Sequence, residues 1–452
     1  MIIKNGNIAL HGSKHLISLD IKTEQGKIIS MGENLHGTEV LDAGGLQIFP
    51  GAIDPHVHFN EPGFTEREDF YHGSCEAVSG GVTTVIDMPC TSLPPVISLK
   101  NMNKKLDVVS KRSVADFGFF GGVSAQLYHS GYRKAMQELS EYVLGFKSYF
   151  LSGMDSFREL SISQFRDVLK EAERLDCVVL LHAEDPERVG RWTWIQKTKG
   201  NGWKHYYRSR PEEAETVAVK NALKAAAETG AKLHIVHIGT AEAAALLKNA
   251  ENVSGETAPH YLQFSADDLE QTGGALKTAP VVKGKANKKL LWEYLINGTL
   301  DFIASDHAPA PAEQKNTGSA WKDYAGIPGT GTIFPYIYSE GFVKREIPLP
   351  RFLEITTENA ARRYGIFDRK GSIEIGKDAD LVFVDPKGSR KIRGKEFYSK
   401  GKITPFENMI FQGKVQKTMI RGKVVYDSSA GINAEPGYGQ FLKPGTKAEK
   451  KR

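Results

Sequence analysis

Two histidines one residue apart stand in the stretch DPHVHFNEPG, Asp54 to Gly63, with an asparagine two residues beyond them. In a β-strand, residues i and i+2 face the same way, so His56 and His58 can offer both rings to one metal ion. Further along lie Lys147 in GFKSYF, His182 in VVLLHAE, His237 in LHIVHIG and Asp306 in DFIASDHAP, each at or near the end of a short apolar run. Taken singly, a histidine in such a run is ordinarily a hydrogen-bonded core residue, and a lysine a snorkelling or ion-paired one. Recurrence at the ends of successive runs is what marks these residues as a candidate site. Asp54 is read as orienting its neighbours rather than as a ligand.

Lys147 raises a chemical problem, because an ammonium among metal ligands is repelled by divalent cations. The repulsion disappears if its deprotonated amine takes up carbon dioxide, since the resulting carbamate has two oxygens that can bridge two metals, and desolvation favours the deprotonated form. Four histidines, one bridging carboxylate and Asp306 then make two open nitrogen and oxygen sites. These suit zinc and tolerate cobalt, nickel or manganese. Bound metals lower the pKa of a shared water and polarise a carbonyl oxygen. Asp306 can ligate one ion, accept the proton of the attacking water and return it to the leaving nitrogen. Together the residues describe metal-assisted hydrolysis of an unactivated amide.

Such a site needs elements that carry all six residues to one place. Over residues 51–365 the chain alternates short apolar runs with longer amphipathic segments. The runs are LQIFPGAID, GVTTVIDMP, VADFGFFGG, YVLGFKSYF, CVVLLHAE, KLHIVHIG, NVSGETAPH and LDFIASDH, eight in all. Helical periodicity fills the gaps in SISQFRDVLKEAERLD, PEEAETVAVKNALKAAAETG and KANKKLLWEYLING. Eight β-then-α units predict an α/β fold, a (β/α)8 TIM barrel whose active site lies at the C-terminal ends of the strands. By strand alternation His234, three residues before His237, is expected on the opposite face and is read as structural. Residues 1–50 and 366–452 instead carry short alternating runs separated by turns. They are expected to pair into one small β-sandwich domain.

The remaining bulk features exclude more than they assign. The 59 basic and 54 acidic residues leave a net charge of +5, and the one dense basic run, KPGTKAEKKR, reads as a solvated or frayed tail. Neither nucleic acid nor membrane is called for as a partner. The three cysteines, Cys75, Cys90 and Cys177, have no C-x-x-C spacing, so neither a cysteine zinc site nor a disulfide framework is indicated. No secretory leader or membrane span is visible, and a cytoplasmic location is expected.

In order along the chain, PGAIDPHVHFNEPG, GGVTTVIDMP, GFKSYF, HAEDP, LHIVHIGTAEA, ETAPHY, DFIASDHAP and GSIEIGKDADLVFVDP are similar to segments of the cyclic amidohydrolases, which include dihydroorotases, allantoinases and hydantoinases. The resemblance spans nearly the whole chain. It implies a binuclear metal centre, a carboxylated lysine, hydrolytic opening of a cyclic ureide or imide, and a homo-oligomer of two or four subunits. It also implies that His56 and His58 hold the more buried metal, His182 and His237 the second, that Lys147 bridges them, and that Asp306 is ligand and base. The dihydroorotase pattern places an arginine, an asparagine and a histidine where this chain has Asn60, Cys90 and Ala310. Losing an arginine that can pair bidentately with a carboxylate argues for an uncharged ring. An amide at position 60 matches the N–H and C=O edge of a hydantoin. With Cys90 and Ala310, Asn60 is therefore assigned to substrate binding, the alternative being a turn residue ahead of Glu61, Pro62 and Gly63. Segments such as RSRPEEAE and SAWKDYAGIPG resemble allantoinases, while GYGQF near the C-terminus resembles hydantoinases. The expected function is that of an allantoinase or hydantoinase-like enzyme. The alternatives are a dihydroorotase, a metal-free scaffold homologue, and deamination or decarboxylation on the same barrel.

Overall fold

Strand Ala52–Val57 opens a ring of parallel strands that continues through Val82–Asp87, Asp116–Phe119, Phe146–Tyr149, Val178–His182, Lys232–Ile235, Val253–Thr257 and Phe302–Ile303. The computed structural model describes residues 1–445, so the end of the basic tail lies outside the described residues. The third and fourth strands are joined through the short Gly121–Gly122, which pairs in parallel with Phe146–Tyr149. The ring closes where Val57 bridges His307 and the His58 amide donates to the His307 carbonyl at 2.7 Å. An (β/α)8 barrel results, as its alternating runs predict.

Side-chain alternation divides the barrel's core into two layers. Val178 and Leu180 face inward with Ile86, Phe120 and Phe302. Val179 and Leu181 face outward against Phe165, Val168 and Leu169. Those three belong to helix Ile162–Arg174, whose Phe165, Val168, Leu169 and Ala172 recur with helical spacing and are buried. Each large apolar side chain buried this way contributes roughly 1.5–3 kcal/mol. Ser161 and Gln164 close a capping box at the helix start, where loss of the serine side chain would cost about 1 kcal/mol. The two other helices read from the sequence form as Glu212–Thr229 and Lys285–Asn297. Both end at a glycine in the left-handed region, Gly230 at φ 70° and Gly298 at φ 88°.

The two ends of the chain meet in a nine-stranded sheet. Strand Gln47–Pro50 pairs antiparallel with Leu381–Lys391, placing Leu381 opposite Pro50 and Val384 opposite Gln47. This hydrogen-bonded sheet, built from both chain ends as expected, packs round a core of Ile3, Ile8, Ile21, Ile48, Leu381, Phe383 and Met419. The run LQIFPGAID, continuous in sequence, divides at Gly51, whose amide donates to the Asp380 carbonyl at 2.8 Å. A Cβ there would sit 2.2 Å from Thr83 Oγ1, so only glycine lets the chain pass from sheet to barrel. Among the described residues no helix is long and apolar enough to cross a membrane.

Candidate metal centre

His56 ends toward the mouth of the first barrel strand and His58 lies just past it. Their Nε2 atoms each sit 3.3 Å from the same Asp306 oxygen, and the three residues offer donor atoms within 4.8 Å of one another. His182, the last residue of its strand, directs Nδ1 toward His237 Nε2 at 3.0 Å. The His237 ring lies 5.3 Å from that of His56, which links the two pairs. Lys147 faces the barrel interior on the neighbouring strand, in register with Leu180. Its Nζ is buried with no hydrogen-bond partner among the described residues. All six residues singled out from the sequence are thus brought to one end of the barrel. Five of them line a cavity of about 640 Å³, with Lys147 sealed beneath.

His237 and Asp306 have φ of 39° and 49°, in the left-handed region that non-glycine residues rarely occupy. Backbone strain of this kind persists where the surroundings fix a side-chain direction. It also accounts for a misreading. His234 was expected to face away from the barrel interior, but it faces inward, stacked on Phe302 at 5.0 Å. The strand ends at Ile235, and the turn at His237 breaks the alternation that a three-residue separation assumes. His234 does not line the cavity. It bonds Ser254 Oγ at 2.7 Å and Glu256 at 3.1 Å.

The second ring nitrogens are held by residues that sequence reasoning passed over. Glu256 meets His56 Nδ1 at 2.5 Å, and the same carboxylate accepts from the His237 backbone amide at 3.2 Å. His58 Nδ1 meets Thr91 Oγ1 at 3.1 Å. His182 Nε2 meets Glu184 at 3.0 Å, and Glu184 also accepts from Arg210. Although burial opposes it, Arg210 and His182 hold the Glu184 carboxyl below its ordinary range. The available signals were the inward alternation of Ser254 and Glu256, and a carboxylate two residues after His182.

The residues assigned to substrate lie behind the cavity wall. Asn60 is fully buried at φ 60°, its amide donating to the His58 carbonyl at 3.1 Å. That local bond and the left-handed backbone suit asparagine by themselves. Cys90 and Ala310 are also buried and absent from the lining, although Cys90 touches it through Tyr149, at 2.9 Å from the hydroxyl. Asp54 accepts from the Ser305 amide at 3.0 Å and so orders the turn before Asp306. Burial raises its carboxyl to about 6.

Whether the cluster suits divalent ions is visible in what its donors lack. Lys147 Nζ and His237 Nδ1 are buried and unpaired, and two imidazole nitrogens face each other across 3.0 Å. Carboxylate or hydroxyl partners occupy the opposite nitrogens of His56, His58 and His182, fixing each ring with one lone pair turned inward. Such a nitrogen and oxygen donor set fits divalent metal.

Known proteins are similar to this chain over nearly its full length. The family model described as the amidohydrolase family matches residues 47–425. An allantoinase of Rubrobacter xylanophilus is 34% identical over 456 residues, covering 98% of this chain and 97% of that protein. The L-hydantoinase (dihydropyrimidinase) of Arthrobacter aurescens superposes with a TM-score of 0.93 at 29% identity, covering 98% of this chain and 99% of its own. A dihydropyrimidinase from Brevibacillus agri gives 0.92 at 28% identity, covering 99% of each chain. With a barrel that converges these imidazoles, a lysine and a carboxylate, and a match extending over nearly every residue, the chain belongs to the amidohydrolase family.

Proposed function

We propose that the protein hydrolyses a C–N bond in an uncharged cyclic amide or ureide, with allantoin or a hydantoin as its substrate. The observation that carries this reading is the convergence of His56, His58, His182, His237, Asp306 and the unpaired Lys147 amine on one end of the barrel. His56 and His58 would hold one divalent ion and His182 and His237 a second, zinc being the metal best suited to these donors. A carbamate on Lys147 would bridge them. Burial supports that modification by pushing the amine down to about 8, which raises the share of neutral nitrogen able to react with carbon dioxide. When bound, the ions supply acidification of a water and polarisation of the amide carbonyl.

The chain's own residues do the rest. Asp306 lies between the two imidazoles of the first pair and at the cavity wall. It can take a proton from the attacking water and deliver it to the ring nitrogen as the C–N bond breaks. Glu256, Glu184 and Thr91 hold the imidazole rings so that the lone pairs stay directed inward. Arg210, a guanidinium on the cavity wall, is already paired with Glu184. That pairing leaves the guanidinium less available to a substrate carboxylate, which favours a neutral ring.

The test is to offer metal-loaded protein allantoin, hydantoin and dihydroorotate side by side. Allantoin or hydantoin should give a kcat/KM about tenfold or more above that of dihydroorotate. Fastest turnover of dihydroorotate overturns the choice of branch. Less than about one ion per chain together with unmodified Lys147 would instead return the scaffold reading.

A further inference from the structure

Tyr149 follows Lys147 by two residues, so the two side chains share the inner face of strand Phe146–Tyr149. Lys147 is sealed below, while Tyr149 lies one step nearer the mouth and lines the cavity. Its ring packs on His182 with centroids 5.4 Å apart and planes 28° from parallel. Its hydroxyl oxygen is 2.9 Å from the sulfur of Cys90, which is fully buried behind the wall. Two hydrogen-bond arrangements fit that distance. If the phenol donates to sulfur, its proton is spent on a weak acceptor. If the thiol donates to the phenol oxygen, the phenol proton is left for a group in the cavity. A ring carbonyl is a much better acceptor than a thiol, so a bound ureide favours the second arrangement.

We infer that the Tyr149 hydroxyl donates a hydrogen bond to a carbonyl of the bound ring, and that Cys90 is the positioning residue that holds the hydroxyl in place. The inference rests on the ring-opening reading for the kind of ligand involved. It gives Cys90 a part in substrate recognition that operates through Tyr149, without contact between sulfur and substrate. The pair also explains why a thiol is buried beside an aromatic hydroxyl at the wall of a polar site, where a purely apolar residue would leave the hydroxyl without a partner behind it.

Tyr149→Phe keeps the ring on His182 and removes only the oxygen. It should lower kcat/KM for the best cyclic ureide by about 10–100-fold with bound metal unchanged. Cys90→Ala should cost about 3–10-fold, whereas Cys90→Ser, which can still donate to the phenol, should stay within about threefold of the parent. In the double variant Cys90→Ala with Tyr149→Phe, the loss should match that of Tyr149→Phe alone within about twofold. A Tyr149→Phe enzyme within about threefold of the parent, penalties that multiply, or a loss accounted for by missing metal would each overturn the inference. A binding arm separates it from the wider reading. Calorimetric titration with 5,5-dimethylhydantoin should give a Kd weakened about tenfold by Tyr149→Phe. If the parent opens no cyclic ureide, the ring-opening reading fails while this titration still judges Tyr149. Equal affinity in both proteins, or no binding to the parent, overturns the inference.

Discussion

Asp306 places one carboxylate oxygen 3.3 Å from each of two imidazoles and is held there by a left-handed backbone. Although burial opposes ionisation, His56, His58 and His237 keep the carboxyl well below its ordinary range, which favours the carboxylate form that the proposed proton transfer needs. Asp306→Asn preserves volume and one ligating oxygen but removes that capacity. The expected result is a fall in kcat of about 10²–10⁴-fold with a smaller change in KM, measured on protein shown to carry the parent's metal content. A kcat within about tenfold of the parent would leave Asp306 as a ligand only. At this scale the sequence was legible where residue type and strand end coincide. His56, His58, Lys147, His182, His237 and Asp306 all needed only the rule that strand ends meet at a barrel mouth. Asn60, Cys90 and Ala310 were inferred by contrast with a different substrate's requirements. All three lie outside the cavity lining, Asn60 bonded to the His58 carbonyl and Cys90 set against the Tyr149 hydroxyl, positions that residue type alone does not reveal.

Strand Val253–Thr257 carries no metal-ligand candidate, yet it joins the two histidine pairs. From it Glu256 reaches His56 and His234 on two other strands and the His237 amide in the turn beyond the second. Burial alone would raise its carboxyl, but His56 and His234 hold it below the ordinary range. Glu256→Gln should therefore weaken metal binding by about 10–100-fold, read by competition with a chromophoric chelator. An unchanged metal affinity would show that the barrel backbone alone fixes the rings. Apolar periodicity revealed this strand's existence but concealed its role. NVSGETAPH holds a single carboxylate, and only the neighbouring strands show what it meets. Periodicity also ran on past real boundaries, through Gly51 and beyond Ile235, because hydrophobic patterning does not record where hydrogen-bonded pairing stops.

Pairing between distant chain ends sets the form of the molecule, and a buried ionic network ties that sheet to the barrel. Lys370 contacts Asp116 at 2.5 Å, Asp380 at 2.6 Å and Asp378 at 2.9 Å. Asp116 begins the third barrel strand and also binds Arg421, from the turn after Ile410–Ile420. These three carboxylates cluster closely enough to hold a cation, but the Lys370 ammonium already fills that role. Burial disfavours its charge, and the three carboxylates nevertheless hold its pKa above the ordinary lysine value. Lys370→Met keeps most of the stem and leaves buried carboxylates facing one another with part of their countercharge gone. Removing one member of a buried charge network costs about 3–5 kcal/mol, so the denaturant midpoint should fall by an amount equivalent to that. Turnover of the folded variant at 25 °C should stay within about threefold of the parent, because Lys370 shares no partner with the metal-site residues. A midpoint shift worth less than about 1 kcal/mol would mean that the sheet and the barrel are joined by apolar packing and strand pairing alone. A stable protein that has lost turnover would mean instead that the network reaches the metal centre through the third strand, whose Phe119 carbonyl accepts from the Leu144 amide just ahead of Lys147.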